Sequence, residues 1–542
     1  MPAGTRLKGD TLKLETYYTS PIIKGVHNIM KNQQIENNKR IAKNTFLLYI
    51  RMLFILFVSL YTSRIVLKTL GIENYGIYNV VGGIVTIFSF LNGSMSTATQ
   101  RYLTYEIGTG NQKKLKKVFS TSITIHGLIA LVIVLLSETI GLWFLTTQMN
   151  IPANRMGAAM WVYQLSILTC IVIMMSVPYN AVIIAHERMG VFAYISIFEV
   201  SAKLLIVYLL LFLNSDKLIT YAILMFIIQL IIRLIYSIYC KKNFAETRYK
   251  FVIDKPLLKE MLGFAGWNMF GILAGIGITQ GINITLNIFF GPIVNAARGI
   301  SVQIQNAITG FCSNFQLALS PQITKSYACG EMKQMNTLIY ASAKYSFFLL
   351  FFLSLPILIE TDIILKWWLN DVPKHTANFI RIMISISMVN VMADSLLVAS
   401  QATGKIRLYQ ILVGGILLLI VPIAYIALKL GYPPESVFLI HLICAVIAQF
   451  VRLYIVHKLT QLPILEYTKE VILKIIFVTA ISLIIPITFH FFMDASFIRF
   501  LTVSILCVCS VTVSIYNLGL NKSEKGFIYK KIKERLHHGK SN

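Results

Sequence analysis

VFAYISIFEVSAKLLIVYLLLFLNSDKLITYAILMFIIQLIIRLIYSIYCKK, residues 191–242, holds two apolar runs, 191–213 and 218–240, separated by Asn214, Ser215, Asp216 and Lys217. An apolar run of about 20 residues is the length a helix needs to cross hydrocarbon. The stretch therefore reads as a transmembrane helical hairpin with a polar tip at one face of a bilayer and Lys241 and Lys242 at the other. Glu199 and Lys203, four apart inside the first run, share a helix face and can neutralise one another.

Extending the same reading along the chain gives spans near 44–65, 77–98, 118–145 and 160–185 before this hairpin. After it come spans near 260–287, 294–318, 338–358, 377–401, 408–430 and 436–456, then a final pair near 470–491 and 497–517. Composition agrees: 56% of the 542 residues are hydrophobic, 13% are charged and mean hydropathy is +0.70. A soluble fold needs a charged exterior that such a chain cannot supply, so the expectation is an all-α polytopic membrane protein of about fourteen helices. The Gly-rich span near 260–287 and the polar span near 294–318 are the weakest by hydropathy, diluted by glycines and amides.

The net charge of +26 would suggest nucleic acid in a soluble protein. In a membrane protein it marks cytoplasmic loops and suits anionic headgroups or an anionic substrate. The cations alternate: Lys39, Arg40, Arg101, Lys113, Lys114, Lys116, Lys117, Arg188, Lys241, Lys242 and Arg248 fall on one set of loops, whereas the other set holds little beyond Lys68, Arg155, Lys217, Lys366 and Lys374. Both termini are expected in the cytoplasm, which requires an even number of spans.

This divides the chain into an N-terminal tail (1–43), a six-helix lobe (44–240), a basic linker (241–258), a second six-helix lobe (259–458), an extra pair (470–517) and a basic tail (518–542). Two six-span lobes have parallel orientation, a transporter pattern. Sliding the chain along itself until Gly71 meets Gly291 also pairs Ile84 with Ile304, Ala98 with Ala318, Thr104 with Thr324 and Gly110 with Gly330. Residues 1–29 read as an upstream extension before Met30 or as a disordered tail, and Phe527, Ile528, Ile532 and Leu536 as the lipid-facing side of a surface helix in a tail, residues 522–542, that is expected to be dispensable for transport.

Among intramembrane charges, Arg51 lies a third of the way along the first span, where snorkelling and a cavity role are both open. Arg64 reads as an interfacial anchor, and Arg233, Lys344, Arg381 and Arg452 lie near span ends where snorkelling reaches water. Asp394 is the deepest unpaired acid, suited to a coupling cation or to an interhelical salt bridge. The densest polar segment, Thr279 to Gln316, holds Gln280, Asn283, Asn287, Arg298, Gln303 and Asn306. Unsatisfied amides are costly in hydrocarbon, so this segment is expected to line water, ligand or other helices. No acid lies between Glu260 and Glu331 to neutralise Arg298, which reads either as a phosphate contact or as an interface anchor. His126, His441 and His490 are isolated, the seven cysteines show no paired spacing, and no nucleotide or hydrolase motif is present. No metal, cofactor or enzyme activity is expected.

SRIVLKTLGIENYGIYNVVGG (Ser63 to Gly83) resembles the L-G-x-x-x-Y-G-x-Y pattern of bacterial polysaccharide flippases, the Wzx-type O-antigen transporters, through Leu70, Gly71, Tyr75, Gly76 and Tyr78. VPYNAVIIAHERMGVFAYISIFEV, FFGPIVNAARGISVQIQNAI and NFQLALSPQITKSYACGE look like segments of lipopolysaccharide biosynthesis proteins in the multidrug/oligosaccharidyl-lipid/polysaccharide exporter superfamily. The resemblance spans roughly residues 31–517. It implies two six-helix lobes in a V around a cavity, in the bacterial inner membrane. Alternating access would move undecaprenyl-diphosphate-linked oligosaccharide outward, in company with membrane lipids and a polysaccharide polymerase machinery. Drug-extruding relatives often carry a carboxylate at the centre of the first or seventh span, and neither span has one here. A cation-coupled multidrug antiporter is the second expectation, and a membrane-embedded polymerase or ligase a third.

Overall fold

The computed structural model describes residues 21–526, apart from 87–88, 148, 150, 214, 251–253, 370 and 523. The surface helix expected beyond residue 526 and most of the extension before Met30 lie outside the described residues. Within them every element is a helix. We label these α1 (Pro21–Thr86), α2 (Ser89–Thr109), α3 (Gln112–Thr147), α4 (Met156–Ala185), α5 (Met189–Phe212), α6 (Lys217–Asn243) and α7 (Lys255–Ala328). The second series is α8 (Met332–Ile359), the short α9 (Thr361–Leu369), α10 (Thr376–Thr403), α11 (Arg407–Lys429), α12 (Glu435–Thr460), α13 (Ile464–Phe492) and α14 (Phe497–Gly519).

Twelve helices among the described residues are long and apolar enough to cross a membrane, two fewer than the fourteen expected. The Gly-rich span near 260–287 qualifies, whereas the two that fall short are 294–318, expected to be weak, and 77–98, which was not. The backbone nevertheless turns at the start of each, because α1 bends at Gly71 (φ 79°) and α7 at Gly291 (φ 73°). At the second bend Arg298 reaches back to Asn283 and to the carbonyl of Thr279, so the two arms of α7 lie side by side as a hairpin. Fourteen helical passes result.

Contacts at the loops sort these passes by end. Lys117 pairs with Asp254 at 3.2 Å and Lys325 with Glu187 at 2.6 Å, gathering the basic loops at what we call the basic end. At the opposite end Arg155 pairs with Asp216 at 2.6 Å, and Arg381 with Asp362 at 2.8 Å. The Arg155 hydrogen bond, helped by the Ile219 and Leu218 amides and opposed by partial burial, holds the Asp216 carboxyl below its ordinary range.

Outward faces carry large apolar side chains such as Phe57, Leu131, Leu135, Phe212 and Phe450, as lipid contact requires. The final pair α13–α14 is no loose appendage. Val471, Ile475, Val478, Val503, Cys507 and Val511 join Phe348, Phe351 and Leu355 of α8 in one core. Glu360, fully buried, takes His490 at 2.8 Å and Arg499 at 3.0 Å, while Lys344, also buried, takes Glu524 at 3.0 Å. Lys344 therefore does not snorkel. Arg233 likewise turns inward, to the Met175 carbonyl and the Tyr179 ring.

Candidate functional site: a cleft between the halves

The first half (α1–α6) and the second (α7–α12) meet through equivalent helices. Glu260, Phe264, Asn268 and Ile272 form one face of the first arm of α7, and that face meets α2: Tyr102 donates to Glu260 at 3.1 Å, its ring packs on Phe264, and Asn268 reaches the Ser94 carbonyl. The mirrored contact sets Met52 of α1 against Gly310 and Asn314 of the second arm of α7, with Tyr49 and Phe311 5.8 Å apart. Ile272 and Met52 each lie against a small or polar residue of the other half, and the shift that carries Gly71 onto Gly291 carries Met52 onto Ile272.

Two polar latches secure the basic end. Glu187, only 3% exposed, sits in the left-handed turn after α4 (φ 59°). It receives Arg40 at 2.8 Å from its own half, and Lys325 and Gln322, both at 2.6 Å, from the other. Breaking a buried ion pair by removing one partner costs about 3–5 kcal/mol, so the cluster opposes separation of the halves. The second latch has no acid. Arg101 donates to the carbonyls of Gln401 at 3.1 Å and Ala402 at 2.8 Å, at the C-terminus of α10, where the helix dipole favours a cation. Gly404 makes room for it, since a Cβ there would stand 2.9 Å from the guanidinium.

Beside Arg101 lies a cavity of about 150 Å³. Its walls include Thr97 and Leu317, Gln100 and Ser320, Arg101 and Pro321, and Thr104 and Thr324, and in each pair the same internal shift carries the first residue onto the second. Equivalent positions facing one another across a space place that space on the pseudo-twofold axis relating the halves. Where the direct contacts stop, the same helix faces continue as a polar wall. One face of α7 carries Gln303, Asn306, Gly310 and Asn314 at helical spacing; the last two touch Met52, while Gln303 and Asn306 are exposed. On the other arm, Thr279, Asn283 and Asn287 continue the face of Asn268 and Ile272, with Gln280 exposed alongside. Arg298 joins the arms, donating to Asn283 Oδ1 at 3.3 Å and to the Thr279 carbonyl at 2.9 Å, while its Nε has no partner. The second half thus carries accessible amides and one guanidinium on the helix faces that continue its contacts with the first.

Other sequence candidates stand elsewhere. Arg51 stacks on Phe192 of α5 at 4.3 Å, inside the first half and within electrostatic reach of Glu199, which Lys203 meets at 2.6 Å as expected. Asp394 is exposed, one turn of α10 before Val398 and two before Gln401, both of which line the axial cavity. Buried Arg452 and Gln316 face it, so its opposing charge comes from another helix, and Arg452 does not snorkel. The side chain of Arg64 lies outside the described residues. Among the described residues no cluster of three metal-ligating side chains occurs. In the sequence Glu187 stands out only as part of the family-like stretch VPYNAVIIAHERMGVFAYISIFEV, and Arg101 only as one of the loop cations. Their role depends on partners 138 and about 300 positions away.

No family model matches the chain, and no curated protein matches it by sequence. Solved structures do match in fold. A crystal structure of a MATE point mutant superposes with a TM-score of 0.68 at 12% identity, covering 78% of this chain and 96% of its own. An outward-facing multidrug resistance MATE family transporter of the MOP superfamily gives 0.64 at 11% identity, with 78% and 96% covered. The MATE transporter ClbM in complex with Rb+ gives 0.64 at 16% identity, with 77% and 94% covered. At such identities the likeness concerns fold alone, and the chain accordingly has the all-helical, MATE-like transporter fold of a multi-pass membrane protein.

Proposed function

We propose that the protein is an alternating-access exporter that carries undecaprenyl-diphosphate-linked oligosaccharide units from the cytoplasmic to the outer leaflet of a bacterial inner membrane. The observation that carries this reading is the cleft wall formed by α7. Guanidinium binds phosphate oxygens through a two-pronged fork, and Arg298 sits among neutral amide and carbonyl partners that leave its charge uncancelled. Gln280, Asn287, Gln303 and Asn306, exposed around it, suit sugar hydroxyls. The basic end is assigned to the cytoplasm by its cations, so the latched state is open to the outside.

Transport then follows from the two latches. In the closed state Glu187 and Arg101 hold the halves together at the cytoplasmic end. Reopening that end exchanges their partners for water, and rocking about the axial cavity closes the opposite end. No step makes or breaks a covalent bond.

A second reading is supported by the MATE neighbours and by Asp394: a cation-coupled multidrug or small-molecule antiporter, with the exposed carboxylate of α10 as the coupling site. A leaflet assay in cells separates the two. Depletion of a flippase leaves single lipid-linked repeat units on the inner leaflet and abolishes surface polysaccharide. Depletion of an antiporter leaves both unchanged and raises drug sensitivity; outer-leaflet accumulation would indicate a polymerase.

A further inference from the structure

The described part of the linker, residues 241–250, lies against α3 and the turn after α4. The Lys250 amide donates to Ser120 Oγ at 3.3 Å, the Tyr249 and Thr124 hydroxyls lie 3.5 Å apart, and His186 stacks on Phe244 with ring centroids 4.3 Å apart. This docking merges two runs of cations into one surface. Lys113, Lys114 and Lys116 are exposed at the start of α3; Lys241, Lys242, Arg248 and Lys250 are exposed beside them.

The acids here are already engaged. Glu246 is buried against His186 at 2.5 Å, Asp254 caps Leu257 and pairs with Lys117, and Glu260 accepts from Tyr102. Burial alone would raise the Glu246 carboxyl, yet His186, a backbone amide and Lys116 together hold the group below its ordinary range. The surplus positive charge is therefore left to the surroundings.

The fold does not demand this surplus. In the second half the positions equivalent to Lys113, Lys114, Lys116 and Lys117 are Lys333, Gln334, Asn336 and Thr337. After α12 the next cation, Lys469 in the first turns of α13, stands between Glu466 and Glu470. Orientation rules explain the sign of cytoplasmic loops, but a few cations suffice for that, and they do not explain a concentration in one half.

We infer that this one-sided platform binds anionic phospholipid headgroups. It stands where the apolar runs of α3 and α6 end, at headgroup depth, and its exposed cations outnumber the acids beside them, which are already engaged. Lysines near an anionic surface each contribute roughly fivefold in affinity, screened by salt.

The test uses full-length purified protein in mixed micelles containing phosphatidylglycerol or phosphatidylcholine, with retained lipid counted by native mass spectrometry. Lys114→Gln/Lys241→Gln/Lys242→Gln should lower phosphatidylglycerol retention by about tenfold or more at low salt. The control Lys333→Gln/Lys405→Gln/Lys458→Gln, equal in charge change, should alter it by less than about twofold. Phosphatidylcholine retention should not change in either. Equal losses in the two variants, or none in the first, would overturn the proposal. Unchanged lipid together with loss of a co-purifying acidic protein would assign the surface to a protein partner instead, and would equally overturn it.

Discussion

Gly71 and Gly291, equivalent positions of the two halves, hold nearly the same backbone: φ 79°, ψ 163° at the first and φ 73°, ψ −166° at the second. That region is essentially closed to residues with a Cβ, although a Cβ at either site would meet nothing within 4 Å. The cost of Gly71→Ala or Gly291→Ala is therefore backbone strain alone, about 1–3 kcal/mol each. Thermal unfolding should show similar losses at both sites. Gly299→Ala, in regular helix and equally open, should be neutral or slightly stabilising. A neutral Gly71→Ala would break the equivalence of the two bends.

Glu187 and Lys325 link the halves across a buried contact. Glu187→Gln and Lys325→Gln should each destabilise, and the double variant should cost less than their sum by about 1–3 kcal/mol. Chemical denaturation of the four proteins in one detergent measures the coupling. Strict additivity would remove Glu187 from the latch.

Arg298 donates in two directions from one planar group, which lysine cannot copy. Arg298→Lys should complement a flippase-deficient strain poorly, and Arg298→Gln worse, at matched membrane abundance. Arg381→Gln, whose arginine pairs with exposed Asp362, should be tolerated. Full activity of Arg298→Gln would return the residue to an interfacial anchor.

The basic tail was expected to be dispensable from residue 522 on, but its first turn is structural. Glu524 pairs with buried Lys344; burial pushes its carboxyl up, while Tyr345, the Asn521 amide and Lys344 together hold it below the ordinary range. Deleting residues 522–542 should therefore destabilise by about 3–5 kcal/mol through the orphaned lysine, whereas deleting 527–542 should leave stability and transport unchanged. Unfolding midpoints of the two truncations decide the matter; equal midpoints would contradict it.

Apolar runs were legible because bilayer thickness fixes their length, and α3 to α6 fall within a few residues of their expected bounds. The span near 294–318 was faint, and that near 77–98 falls short although it read as an ordinary span, for one reason: both meet the other half, so they carry Ser94, Gln303 and Asn306 where lipid-facing helices carry Leu. The internal repeat, slight as sequence, became geometry at Gly71/Gly291 and Gly110/Gly330, all four with positive φ. Pairings such as Arg452 facing Asp394 stayed hidden, because periodicity places a residue on a face and leaves its neighbour on another helix unnamed. Net charge likewise could not say that the linker folds back onto α3.

The central claim, that the halves must part at the basic end during each cycle, is tested by locking them. Tyr105 and Tyr327 face one another there with ring centroids 6.4 Å apart. Tyr105→Cys/Tyr327→Cys, with Cys329→Ser to remove a nearby thiol, should cross-link on oxidation. The leaflet assay should then show lipid-linked units trapped on the inner leaflet, with export restored by reductant. Export by the cross-linked protein at the reduced rate would contradict the account.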